Sequence, residues 1–197
     1  MSKIIARWEW RTFGPTFGEA EERIKSFPED KARTSSEVYI LSRNSLDNTK
    51  IRDMLLDIKT LQQVNEDKLE QWYPVMKAGF PLTREVLGEV FRAWKVAPPA
   101  YRRETYAYDQ FLSELVAPCP DLKAVGVEKE RHGFMINDCI VEMADLKFDG
   151  RPVRTVAVEM ADPARVMATV RELCLERFEN VNYLKALKRF AGMDIKS

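Results

Sequence analysis

Strand-like alternation and helical spacing take turns along this chain, and glycine and proline mark most of the switch points. Residues 3–13 alternate with the strand period until Gly14, Pro15 and Gly18 interrupt them, and residues 19–26 follow as a short helix. The segment EVYILSR, residues 37–43, is rich in strand formers, and residues 44–48 read as a turn. Residues 49–53 and 55–61 extend as two more strands, or as one long bent strand. Apolar positions then recur at helical spacing over residues 66–77 and 82–94, with Pro81 just ahead of the second run. That spacing predicts a helical insertion at about 66–96, ended by Pro98-Pro99. Residues 101–108 read as a strand and 109–116 as a short helix. Three strands follow over 122–134, 137–148 and 153–160, the last two joined by Asp149-Gly150, a hairpin pair. Asp162-Pro163 then caps a helix over 164–175, and a second helix over 180–190 stops at Gly192. Strands, helices, strands, helices: the order predicts an α+β fold with an antiparallel sheet, and helices in the middle and at the C-terminus.

Because side chains alternate across a strand, residues of one parity share a face. In the first strand Arg7, Glu9 and Arg11 lie on one face, with Ala6, Trp8 and Trp10 on the other. Lys50 and Arg52 share a face, Lys59 sits in the next strand, and Lys129 and Arg131 pair in a later one. Glu142 and Glu159 each stand among apolar residues. An antiparallel sheet commonly turns one face to water, and these charges are compatible with that reading. Two details favour another. Solvated faces usually mix in Thr, Ser and Gln, whereas these are Lys, Arg and Glu almost alone, and the tryptophans imply that the opposite face is covered. A sheet closed around its charged faces makes a barrel with a polar, mainly cationic lumen. Such a lumen suits a linear polyphosphate, with Arg and Lys on the phosphate oxygens and carboxylates as hard ligands for Mg²⁺ or Mn²⁺.

Composition narrows the class. The chain has 197 residues with 45% hydrophobic and 31% charged, the mix of a globular protein, and length alone suggests one domain. Its 31 Lys and Arg balance 31 Asp and Glu, which argues against a nucleic-acid partner. No apolar run approaches the roughly 18 residues that span a bilayer. The N-terminus MSKIIARWEW meets charge too early for a signal-peptide core. Cys119, Cys139 and Cys174 are odd in number and widely spaced, as expected of thiols in a reducing cytosol, so a cytoplasmic location is expected. His132, the only histidine, has no partner motif for a Ser-His-Asp or Cys-His site, and both Gly-rich phosphate loops are absent.

The charged strands, taken in order, resemble the CYTH or triphosphate tunnel metalloenzyme superfamily. Its members form a closed antiparallel β-barrel tunnel lined with Arg, Lys and Glu, and act on triphosphates with a divalent metal. Arg7-Trp8-Glu9-Trp10-Arg11 stands where the family has Glu-x-Glu-x-Lys. KIRD resembles its basic strand and DIKTL places Lys59 as a tunnel lysine. VEKER supplies the later basic pair, CIVEMADL and RTVAVEMAD resemble the acidic strands, and NVNYLKALKRF, with Asn182, Tyr183 and Lys185, resembles the closing segment. The resemblance implies a single domain over 1–197. It implies Arg7, Arg11, Lys50, Arg52, Lys59, Lys129, Arg131 and Lys185 as phosphate ligands. Glu9, Glu142 and Glu159 would hold one Mg²⁺ or Mn²⁺, and Lys59, Glu9 and Glu159 would serve catalysis. The implied reaction is metal-dependent hydrolysis of a triphosphate or polyphosphate. Three departures point to an alternative, a module that binds polyphosphate, nucleotide or another phosphorylated ligand without turnover. Arg7 replaces the first glutamate, Arg11 replaces the lysine, and Ala157 stands where a second glutamate is common. The central helical segment would cover the tunnel mouth or mediate a homodimer.

Overall fold

A computed structural model describes residues 6–193. Of the first expected strand, Lys3, Ile4 and Ile5 lie outside the described residues. The chain runs β1 (Trp8–Gly14), α1 (Glu19–Lys25), β2 (Glu29–Ser42), β3 (Asn48–Arg52), β4 (Leu55–Val64) and β5 (Glu70–Gly79). It continues with β6 (Leu82–Thr83), α2 (Arg84–Trp94), β7 (Thr105–Tyr106) and α3 (Tyr108–Gln110), which runs into a π-helical turn over Phe111–Val116. It ends with β8 (Leu122–Ile136), β9 (Cys139–Phe148), β10 (Arg151–Met160), α4 (Pro163–Glu172) and α5 (Tyr183–Ala191). Eight strands close an antiparallel barrel in the order β1-β10-β9-β8-β2-β3-β4-β5, as the charged faces predict. Among the described residues the last seam is short: β1 meets β5 through Trp8 opposite Gln71 and Glu9 opposite Glu70.

Two expected elements differ. Residues 66–77 do not form a helix; β5 pairs with β4 from Leu55 opposite Gly79 to Val64 opposite Glu70. Pro74 carries the physical reason, since a proline inside a helix removes a hydrogen bond and clashes with the preceding turn. In the sheet it sits where the β4–β5 register shifts, and the missing N–H is tolerated. Only the later part of 66–96, over α2, is helical. Residues 101–108 likewise contribute a strand of just two residues, Thr105–Tyr106, paired with β6.

The core explains why the sheet closes. Outward-facing Trp10, Val141, Met143, Val156 and Val158 pack under α4 and α1, with Val166, Val170, Ala20 and Ile24. Outward-facing Ile40, Ile51, Leu56 and Ile58 pack against Leu87, Val90, Phe91 and Trp94 of α2. A third cluster lies inside the barrel, where Tyr39, Leu41, Val125, Leu146 and Phe148 meet Tyr183, Leu184 and Leu187 of α5. Helix α5 thus fills one end of the interior, and the charged residues occupy the remainder. No helix among the described residues is long and apolar enough to cross a membrane. The Asp162 carboxylate accepts the Ala164 N–H at 2.9 Å and caps α4, the helix that shields Trp10. Asp162→Ala is expected to cost about 1 kcal/mol. Thermal melting followed by circular dichroism should show a drop of about 2–4 °C.

Candidate functional site

Strand register converts the sequence's parity pattern into two facing walls. On one wall β1, β10 and β9 lie side by side, with Glu9 directly opposite Glu159, and Arg11 opposite Ala157, itself opposite Glu142. On the other, β8, β2, β3 and β4 set Ser35 opposite Lys129, Tyr39 opposite Lys50, and Lys50 opposite Asp57. Between them is a cavity of about 180 Å³, lined by Glu9, Arg11, Lys50, Lys59, Lys129, Arg131, Glu142 and Glu159 among others. Eight of the eleven expected site residues therefore meet at one place, although they come from six strands.

Three sequence-predicted ligands stand apart. Arg7 is half exposed, with Nη1 3.9 Å from Glu159 Oε2, and does not line the cavity. Arg52 turns to Glu37, Nη1 to Oε1 at 3.4 Å. Lys185 projects from α5 to Glu70, Nζ to Oε1 at 3.3 Å, and lines a separate cavity of about 220 Å³. The helical placement of Lys185 could be read from the sequence; its direction depended on how α5 docks.

The acidic wall is organised by Arg11. Its Nε donates to Glu9 Oε1 at 2.9 Å, Nη2 reaches Glu9 Oε2 at 3.4 Å, and Nη1 lies 3.6 Å from Glu142 Oε1 and 3.3 Å from Thr155 Oγ1. The guanidinium is buried and lies over the Tyr183 ring at 4.6 Å. Burial disfavours ionised Glu9, yet the adjacent Arg11 overrides it and holds that carboxyl below its usual range. Glu159 goes the other way: burial, then the charge on Glu9, pushes it up to about 7. Two facing carboxyls with opposite displacements can share one proton near neutrality.

The basic wall is organised by a carboxylate outside the set expected from the sequence. Glu37 is fully buried within EVYIL, a lone acid among strand formers, as Glu142 and Glu159 are. Lys129 Nζ meets its Oε2 at 2.7 Å, Tyr39 donates its hydroxyl to the same oxygen at 3.1 Å, and Arg131 Nη2 lies 3.9 Å from Oε1. Burial opposes its charge, but Lys129 and Lys50 win and bring Glu37 down to about 2. Burial in turn lowers Lys129 to about 8, against the pull of Glu37. Lys129 also sits 4.2 Å over the Tyr183 ring, and Tyr183 stacks on Tyr39 at 5.6 Å.

Several polar atoms in this pocket have no partner. Arg131 Nε, Tyr183 Oη and Asn48 Oδ1 are buried without a hydrogen bond, and all three residues line the cavity. An unmatched buried polar atom is costly unless something else satisfies it. A larger groove of about 780 Å³ lies outside the barrel across β2, β8, β9 and β10. Its charges are already paired, Lys147 with Glu128 at 3.2 Å and Arg154 with Asp145 at 2.6 Å, so the interior is the better binding site.

No family model and no curated protein matches this sequence. Solved structures do. The chain is similar to the Hippeastrum protein HpAC1, described as revealing a dominant triphosphatase activity, at 10% identity over 93% of this chain and 96% of that one, with a TM-score of 0.54. It is also similar to a Bacillus halodurans protein described as a candidate adenylate cyclase, at 12% identity over 95% and 99%, with a TM-score of 0.53. A conserved Pyrococcus furiosus protein matches at 15% identity over 90% and 98%, with a TM-score of 0.50. At such identity the likeness is one of fold. That fold is a closed antiparallel β-barrel with helices packed around it.

Proposed function

We propose that the barrel interior binds a linear triphosphate-type anion and hydrolyses a phosphoanhydride bond in it. The observation that carries this reading is the set of donors left open in a buried cationic pocket. Arg131 Nε and the Tyr183 hydroxyl have no partner, and Lys50 and Lys59 make no ion pair among the described residues while lining the same cavity. A polyphosphate supplies the acceptor oxygens that these donors need. The triphosphatase activity described for the Hippeastrum protein supports the choice of ligand.

In the reaction, water attacks the terminal phosphorus and the bridging P–O bond breaks, its electron pair leaving with the departing phosphate, which takes up the proton that the attacking water loses. Phosphoryl transfer depends mainly on positioning and electrostatic stabilisation. Lys50, Lys59 and Arg131 would hold the phosphate oxygens and carry the charge that develops on the leaving group. A divalent ion does not fit the carboxylates as they stand. Arg11 pairs with Glu9 and lies against Glu142, and among the described residues no three acidic, His or Cys side chains converge to hold a metal. No step is therefore routed through one. The same pairing favours a second reading, in which the pocket binds its anion without turnover.

Phosphate release from inorganic triphosphate, ATP, thiamine triphosphate and long-chain polyphosphate separates the two. Each is run with Mg²⁺, with Mn²⁺ and with EDTA. Release that Glu159→Ala reduces at least tenfold is the expected result for the hydrolase. Thermal stabilisation by these anions with no release would establish the binding module. The absence of both release and stabilisation would exclude the pocket as a polyphosphate site.

A further inference from the structure

Arg11, which the sequence offers as a phosphate ligand, is instead committed to carboxylates. Given that the pocket takes a triphosphate-type anion, we infer that Arg11 is a built-in counter-cation for Glu9 and Glu142, and that the pocket holds its anion without a divalent ion. The guanidinium is permanently charged and planar, and its fork matches the two oxygens of Glu9, reached at 2.9 and 3.4 Å. Its third nitrogen bonds Thr155 Oγ1 at 3.3 Å and faces Glu142 at 3.6 Å, while its flat face covers Tyr183.

The geometry also accounts for Ala157. It lies between Arg11 and Glu142 in one cross-strand row, and its methyl group leaves room for the guanidinium to reach across β10. A larger side chain there would stand between them. Arg11 and Ala157 thus work as one substitution. A divalent ion that took Glu9 and Glu142 as ligands would have to displace Arg11 and leave a buried guanidinium with Thr155 as its remaining hydrogen-bond partner, a costly exchange. With the acidic wall satisfied internally, Lys50, Lys59, Lys129 and Arg131 remain to face an anion directly.

Calorimetric titration of tripolyphosphate into the full chain, in EDTA and in Mg²⁺, provides the test. Affinity in EDTA within about tenfold of that in Mg²⁺ is expected. Binding with Mg²⁺ but none in EDTA would overturn the inference and leave the polyphosphate pocket standing. Binding in neither would overturn the pocket reading itself, and the inference with it. Arg11→Met provides an independent readout through paramagnetic resonance of free Mn²⁺ added alone. The variant is expected to take up Mn²⁺ on the released carboxylates, and the native chain to leave it in solution. Uptake by the native chain would contradict the inference, and these native arms remain decisive even if Arg11→Met does not fold.

Discussion

Glu37→Ala is expected to lower the unfolding free energy by about 3–5 kcal/mol at pH 7, because it removes one partner from a buried charge cluster. Lys129 is itself buried and holds the carboxylate at 2.7 Å, and Arg52 reaches it at 3.4 Å. Without Glu37 these cations face one another across the interior, with Lys50 adding to the repulsion. The pH dependence has a definite sign. Glu37 sits at about 2 in the folded chain against 4.5 ordinarily, so its stabilisation is complete above about 4.5 and disappears as the pH falls toward 2. Linkage puts that contribution at about 3 kcal/mol. Urea unfolding of both proteins at several pH values checks it. The difference between native chain and variant should shrink steadily below pH 4.5. A difference under about 1 kcal/mol at pH 7 would mean that the cations reach water when Glu37 is gone.

The second large effect concerns the ligand. Lys129 is brought to about 8 by burial, only partly offset by Glu37 on β2, with Lys50 on β3 and Arg11 on β1 adding to the depression. Tyr39 and Tyr183 complete its surroundings. A polyanion in the cavity favours the charged form. Below about 8 the ammonium is already in place; above it, a proton must be taken up on binding. Affinity for tripolyphosphate is therefore expected to fall as pH rises past 8, by up to about tenfold per unit. Lys129→Met should bind more weakly at pH 7 and lack this fall. The ligand's own titration is common to both proteins, so the difference between their profiles isolates Lys129. Parallel profiles would show that Lys129 does not face the bound anion.

Much of the site could be read from strand parity. Glu9, Glu142 and Glu159 stand out as acids within apolar strands, and each lines the cavity. Glu37 offered the same signal in EVYIL and its partners were equally visible, but nothing local says that a buried acid belongs to a basic wall. In the β5 segment Leu69, Trp72, Tyr73 and Met76 satisfy helical spacing although the chain is a strand there, and Pro74 is the local sign against a helix. For Arg11 the alternation predicts the correct face and the wrong partner. On sequence alone a lumen arginine points to phosphate, whereas its bonds run to Glu9, 2 residues away, and to Thr155, 144 residues away.

The sequence by itself determined which side chains face inward, because a strand's period of two is a local property of the backbone. It also determined, through the tryptophans and the apolar outward positions, that the sheet's outer face is covered. Which inward residues meet was decided only by tertiary structure. Register between strands far apart in the chain, such as Ser35 opposite Lys129, follows from closing the barrel as a whole. Helix α5 then fills one end of it, setting Tyr183 beneath Arg11 and Lys129 and turning Lys185 away to Glu70. A charge's partner depends on distances of a few ångströms between elements that are remote in sequence, and only packing of the complete chain sets those distances.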